Sequence, residues 1–430
     1  MIATLKNYAE QNRLQKRVGH FVRNAPFAIA ASALPGAVNF VITVYLAYAA
    51  GMAETGEYRI LYSCYVLLGL AAMLETSKVF IRAIVSDDHE ATTALFANRL
   101  LFTLGAFLLV AAGYGIGQAI GAHAITGSVV AVAALSVIIY PLDSYQSLLQ
   151  ARGRFNLLFL SELIKYALAF AAFVVAVELG FSVTQAMIAQ LGTIALCHVA
   201  YFSLVTRTFV DFGLVRSRFV HMVRSEPAKQ ARIYSYATLA PGSLEHVDKF
   251  LVGWVFGLEF LGVYTLASTT GRFLYNTLKP ALYIYYRRFV DRMPGWRLLR
   301  FMGIGFTLFG IGNAVIFLLA IAYIPVMHRF QSGAIATVIL FLSYGIGIVR
   351  AIYGQAFTLN KDSDASHALS AAVQATMLSL ILLGTALLSP PLPALALLAL
   401  QYPVRDGLTI FLMNRYRVRA HRFQAMAGGA

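Results

Sequence analysis

The amino-acid sequence predicts an all-α polytopic membrane protein, with about twelve transmembrane helices in two six-helix lobes related by a parallel internal repeat. Three observations predict it. The 430 residues are 59% hydrophobic and only 12% charged, with a mean hydropathy of +0.70, whereas soluble domains carry about a quarter of their residues as charges. Apolar stretches of about 20 residues, the length that crosses a hydrocarbon core, recur between charged or Gly/Pro-bearing breaks. One stretch is used twice: Pro35-Gly36, Gly51, Gly56 and Tyr58 recur 206 positions later as Pro241-Gly242, Gly257, Gly262 and Tyr264.

Residues 1–24 form a basic, weakly amphipathic arm, with Ile2, Leu5, Leu14, Val18 and Phe21 among the charges, suited to a cytoplasmic membrane surface or else to a solvated tail. Six spans then fill a first lobe, 25–206: they run 25–50, 60–83, 95–121, 125–149, 155–179 and 184–206. The Arg-rich segment 207–233, broken by Pro227, links the lobes. A second lobe, 234–414, holds spans 234–257, 261–286, 298–324, 333–358, 366–389 and 392–414, and residues 415–430 form a tail. The first span is too long, and lacks the small-residue cleavage site, for a removable signal peptide. Most of the 34 Lys and Arg fall in the arm, the tail and alternate loops, which places both termini in the cytoplasm, while the opposite loops carry only Arg59 and Arg329. The net charge of +15 is thereby explained by topology and anionic lipid, without nucleic acid. Cys64 and Cys197 lie in different spans, as packing residues rather than a disulfide or metal site.

Charges inside spans carry the functional information, because each costs about 2.5–3.5 kcal/mol at the bilayer centre on insertion scales. Glu75, Lys78 and Arg82 share one face of the second span, and Glu162 and Lys165 sit at i, i+3 in the fifth. The seventh span carries Glu245, Asp248 and Lys249 after a Pro241-Gly242 step expected to loosen the backbone. Arg272, Tyr275, Asn276 and Lys279 form a polar stripe on the eighth, Arg350 lies in the tenth with Tyr353 and Gln355, and Arg405-Asp406 in the twelfth. An interior richer in Lys and Arg than in carboxylates suits an anion. The candidate anion-binding residues are Lys249, Arg272, Lys279, Lys78 and Arg350. Asp248, Glu245 and Glu75 are candidates for a coupling proton or sodium ion, or else fixed partners of Lys249 and Lys78. No phosphate-cradling Gly-rich loop and no metal-spaced His/Cys set occurs, and His198 and His246 are isolated, so no cofactor or metal is expected. No extramembrane segment exceeds about 30 residues, which leaves no room for a soluble catalytic domain and argues against an enzyme. Duplicated halves with ionisable residues at their seam suit alternating access.

Pro241-Gly242, then Asp248-Lys249-Phe250-Leu251-Val252-Gly253, then Gly257 through Leu261-Gly262-Val263-Tyr264-Thr265-Leu266-Ala267, resembles the seventh-to-eighth helix signature of Wzx-type polysaccharide transport proteins. These belong to the multidrug/oligosaccharidyl-lipid/polysaccharide exporter superfamily. Gly56-Glu57-Tyr58-Arg59 and Leu148-Leu149-Gln150-Ala151-Arg152-Gly153-Arg154-Phe155 are similar to the same family. The resemblance implies a V-shaped protein of the bacterial inner membrane that flips an undecaprenyl-pyrophosphate-linked oligosaccharide of O-antigen, capsule or exopolysaccharide. Asp248 and Lys249 match by motif position, but Glu245 stands where the family commonly has Asn. Two further C-terminal helices of the peptidoglycan-precursor branch are not expected, which disfavours lipid II as cargo. The implied partners are the lipid-linked oligosaccharide, membrane lipids, proton or sodium, and glycan polymerase or assembly proteins, around a monomer. A multidrug or organic-cation antiporter of the same superfamily would need an acidic cavity. An intramembrane glycan polymerase or acyltransferase would need a sizeable periplasmic loop.

Overall fold

The computed structural model describes residues 2–73, 76–119, 126–205, 209–278, 294–359 and 365–427, and among them there is no strand. The first half comprises α1 (Ile2–Ala49), α2 (Met52–Ala71), α3 (Thr76–Val85), α4 (His89–Ala119), α5 (Gly127–Leu142), α6 (Ser144–Ala151), α7 (Phe155–Glu178) and α8 (Val183–Val205). The short α9 (Phe212–Arg224) lies in the connecting segment. The second half runs through α10 (Glu226–Leu278), α11 (Trp296–Tyr323), a 3-10 segment (Pro325–Gly333), α12 (Ala334–Leu342), α13 (Tyr344–Leu359), α14 (Ala365–Leu387) and α15 (Pro391–Ala427).

Eight helical stretches among the described residues are long and apolar enough to cross a membrane, α5 and α6 together making one of them, and α12 with α13, bent by 46°, forms a ninth candidate. Where the structure describes them, the twelve expected spans fall on helix, with their breaks in different places, and 279–286 of the eighth lie outside the described residues. The second span divides into α2 and α3 beyond Met73, whose φ is 62°, and the fourth divides at Asp143. The seventh and eighth are continuous in hydrogen bonding as α10, but the chain doubles back at Gly257 (φ 85°, ψ 171°). A straight helix would hold residues 16 apart about 24 Å from each other, yet Tyr264 Oη donates to Asp248 Oδ2 at 3.0 Å. The expected loosening at Pro241-Gly242 does not occur: the helix runs through it, and Gly257 makes the break. The basic arm is likewise not separate, since α1 is helical from Ile2. The tail continues α15 to Ala427.

The repeat is visible in the fold. Gly51 (φ 129°) ends α1 as Gly257 ends the first arm of α10, and both take positive φ that L side chains rarely adopt. The two hairpins then meet. A β-carbon on Gly56 would lie 2.1 Å from the Leu258 carbonyl oxygen, and one on Gly262 would lie 1.9 Å from that of Met52. Met52 and Leu258 occupy matching positions of the repeat, so the contact is reciprocal about a pseudo-two-fold axis. Only glycine permits such an approach, and small residues are how membrane helices reach close packing without a hydrophobic drive between them.

Outward faces are apolar: Leu108, Leu109, Leu196, Trp254, Phe301 and Ile316 are 62% to 84% exposed, as lipid-facing residues should be. Charges turn inward instead. Lys165 Nζ donates to both oxygens of Glu162 at 2.7 and 2.8 Å, and Tyr145 Oη donates to Glu162 Oε1 at 2.6 Å, all inside the first half. Fully buried Arg99 ties α4 to α3 and α5 through Ser77 Oγ at 2.7 Å and the Tyr140 carbonyl at 3.3 Å. Cys64 and Cys197 are free thiols.

Candidate functional site

A cavity of about 360 Å³ lies at the seam between the halves. Gly36 and Asn39 of α1 and Arg59 and Tyr62 of α2 form one wall; Glu245, His246, Arg272 and Asn276 of α10, Arg350 of α13, and Tyr402 and Asp406 of α15 form the other. Its size is that of a small-molecule site, about 300–1,000 Å³. Arg59 stands three residues beyond Gly56 on α2, so the cavity begins about one helical turn from the glycine contact, which closes the α1–α2 end.

The geometry follows from the hairpin at Gly257. Folding back brings Arg272 opposite Glu245, with Nη1 donating to Oε2 at 3.3 Å. α15 supplies Arg405, whose Nη2 donates to Glu245 Oε1 at 2.6 Å. One carboxylate thus holds two guanidinium groups. Asp406 Oδ1 lies 3.6 Å from Nε of both Arg350 and Arg405. The network therefore sets three arginines against two carboxylates, and Arg59 adds a further cation with no carboxylate partner among the described residues. Aromatic faces orient these cations: the Arg272 guanidinium carbon lies 4.3 Å from the centre of the Tyr402 ring, and that of Arg59 lies 5.4 Å from Tyr62. Phe40 stacks on Phe273 at 4.6 Å beside the cavity.

Arg272, Arg350 and Glu245 of the sequence-derived candidates come together on this wall. Asp248 and Lys249 do not. Both are fully buried behind it, with Lys249 Nζ at 2.6 and 2.7 Å from the Asp248 carboxylate. Lys249 also donates to the Glu245 carbonyl at 3.1 Å and the Tyr402 hydroxyl at 3.3 Å, and Gln401 donates to Asp248 Oδ2 at 3.2 Å. Each of the two charges has its lone pairs or protons satisfied by protein, the condition under which a buried pair persists. Glu75, the Lys78 side chain and Lys279 lie outside the described residues. Among the described residues, no cluster of His, Cys, Asp and Glu could hold a metal ion.

On sequence alone Arg59 falls in an outer loop and His246 is an isolated histidine. Both line the cavity, and Arg59 lies within α2, whose helix starts eight residues earlier than the expected span. The usable signal was its place directly after the repeat tyrosine Tyr58, one residue short of the predicted boundary. Arg405 and Asp406 were legible as intramembrane charges, and their alignment with Glu245 needed α15 to be packed against α10.

The chain matches the polysaccharide biosynthesis protein family over residues 57–283. No curated protein matches it significantly. Among solved structures, it is similar to an outward-facing multidrug resistance MATE family transporter of the MOP superfamily, at 13% identity and a TM-score of 0.52, covering 94% of this chain and 96% of that one. It is also similar to a MOP superfamily transporter from Pyrococcus furiosus, described as having a binding pocket of reverse polarity that suggests a different function. That match has 15% identity and a TM-score of 0.54, covering 94% and 96% of the two chains. A variant of the Vibrio cholerae MATE transporter VcmN matches at 13% identity and a TM-score of 0.53, over 93% and 98%. These likenesses fix the V-shaped two-lobe fold, and the family match covers more than half the chain. The chain belongs to the polysaccharide biosynthesis protein family, as a multi-pass membrane protein.

Proposed function

We propose that the chain flips an undecaprenyl-pyrophosphate-linked oligosaccharide across the bacterial inner membrane, its two lobes (25–206 and 234–414) rocking about the seam cavity. The observation that carries the reading is the excess of arginine over carboxylate in a cavity that both halves build. Guanidinium forks match phosphate oxygens in pairs, while the prenyl tail stays in lipid beside the seam. With both termini cytoplasmic, the glycine contact lies at the periplasmic end, and this conformation takes its cargo from the cytoplasmic side. Glu245 holds Arg272 and Arg405 in check; a proton arriving there would release both towards the anion, which makes it the coupling candidate that the cavity geometry favours. Asp248 is engaged by Lys249 instead. The cargo glycan belongs to O-antigen, capsule or exopolysaccharide, handed on to a polymerase or other assembly protein.

A multidrug antiporter would need a cavity of the opposite sign for organic cations. The reverse-polarity pocket described for the Pyrococcus furiosus transporter supports the idea that pocket charge tracks cargo within this fold. The decisive experiment measures lipid-linked glycan in a deletion strain complemented with wild type or with Arg272→Glu. Accumulation relieved by wild type and not by Arg272→Glu is expected. No accumulation, with altered drug sensitivity, overturns the reading in favour of the antiporter.

A further inference from the structure

We infer that Arg59 and His246 form an oxyanion subsite of their own, one residue from each half, that takes a phosphoryl group across the seam; this rests on the reading of the cavity as the export site. Both residues line the cavity. Arg59 Nε and His246 Nδ1 are buried, and neither has a hydrogen-bond partner among the described residues. Buried polar atoms of native proteins are almost always paired, so two orphans on residues that line one cavity mark a place where something else binds. The other cavity cations differ in kind. Arg272 is held by Glu245 and Arg350 by Asp406, whereas Arg59 has the Tyr62 ring and no carboxylate beside it among the described residues, and stacking on a ring leaves the N–H edge of a guanidinium free.

The repeat gives an independent indication. The counterpart of Arg59 in the second half is Thr265, fully buried, and the counterpart of His246 in the first half is Phe40, stacked on Phe273. Each half therefore carries a neutral or apolar residue where the other half carries its hydrogen-bond donor. The pair is asymmetric in sequence yet both residues line one cavity between the halves, which is what a single ligand on the seam requires. An oxyanion held by both residues ties α2 to α10 about one turn from the Gly56 contact, so the ligand itself becomes a link between the lobes. A phosphoryl group fits best because its several oxygens accept from donors on opposite walls at once. That group could come from a prenyl diphosphate or from free phosphate.

The test uses full-length protein in nanodiscs and isothermal titration with inorganic pyrophosphate, farnesyl pyrophosphate and glucuronate. Wild type is expected to bind farnesyl pyrophosphate. Arg59→Gln and His246→Phe should each weaken it by about tenfold or more, and Arg59→Lys should recover part of the loss. Inorganic pyrophosphate binding with the same losses assigns the subsite to the phosphoryl group alone; binding of the farnesyl compound only assigns it to the lipid-linked form. Wild-type affinity in both Arg59→Gln and His246→Phe overturns the subsite and leaves the export cavity standing, as does Arg59→Lys binding no better than Arg59→Gln. Glucuronate binding without pyrophosphate binding also overturns it. If wild type binds none of the three, the subsite and the export reading fall together.

Discussion

Replacing Gly56 with valine should pry the halves apart at the α1–α2 end. Gly56 lies inside a helix, where glycine is about 1 kcal/mol worse than alanine, so any loss on adding a side chain comes from the contact and not from α2 itself. Its β-carbon would sit 2.1 Å from the Leu258 oxygen, whereas a carbon and a carbonyl oxygen pack at about 3.3 Å. The backbones must therefore separate by about 1.2 Å. Overpacking of this kind costs about 1–3 kcal/mol, which shifts the balance towards conformations lacking the contact by about fivefold to more than a hundredfold. Spin labels on Ala53 and Glu259, both exposed and related by the repeat, report the separation by double electron–electron resonance in a Cys64→Ser, Cys197→Ser background. Wild type should give one dominant short distance, and Gly56→Val a longer population. Gly105→Val, where a β-carbon meets nothing within 4 Å, should match wild type. A Gly56→Val distance distribution identical to wild type in folded protein would refute the idea that this contact closes the end.

Two stability predictions follow from buried groups and backbone. Lys249→Met strands the Asp248 carboxylate and should cost about 3–5 kcal/mol, while Asp248→Asn with Lys249→Met should recover most of the loss. Melting temperatures of the purified variants check this, and equal loss in single and double variants would show that the pair is not the source. Gly257→Ala meets no steric neighbour, so its cost is the backbone conformation alone, φ 85° with an extended ψ of 171°, about 1–3 kcal/mol; a melting temperature unchanged from wild type would mean that the corner is not held in that conformation.

Composition and periodicity sufficed for the helices, because a membrane span must satisfy its backbone internally and be apolar throughout. The repeat was legible too, since Pro, Gly and Tyr recur at one offset. Its meaning was not. That Gly56 and Gly262 touch each other's neighbours depends on how two hairpins dock, and no local pattern encodes docking. The same limit explains Lys249. A lysine after an aspartate on a predicted span reads as a cavity cation, but i, i+1 side chains on a straight helix diverge. Here both turn into the protein, where Tyr264, Tyr402 and Gln401 complete their hydrogen bonds, and two of these lie 153 residues from their partner. Arg272 was legible for the opposite reason: it lies deep in an apolar segment, and a guanidinium there has to face the interior.

The spacing of the ion pairs along the chain also orders the making of the protein. Glu162 finds Lys165 three residues on, so α7 leaves the ribosome carrying its own counter-ion and can be released into lipid as a nearly neutral segment. Glu245 is different. Its cations arrive 27 and 160 residues later, and until α15 is synthesised the first arm of α10 carries a carboxylate with half its complement. The first half can thus settle as it emerges, while the second settles only when its last helix arrives. A chain interrupted before Arg405 leaves Glu245 with Arg272 alone and Arg350 without the carboxylate of Asp406, a chemical mark of incompleteness inside the bilayer.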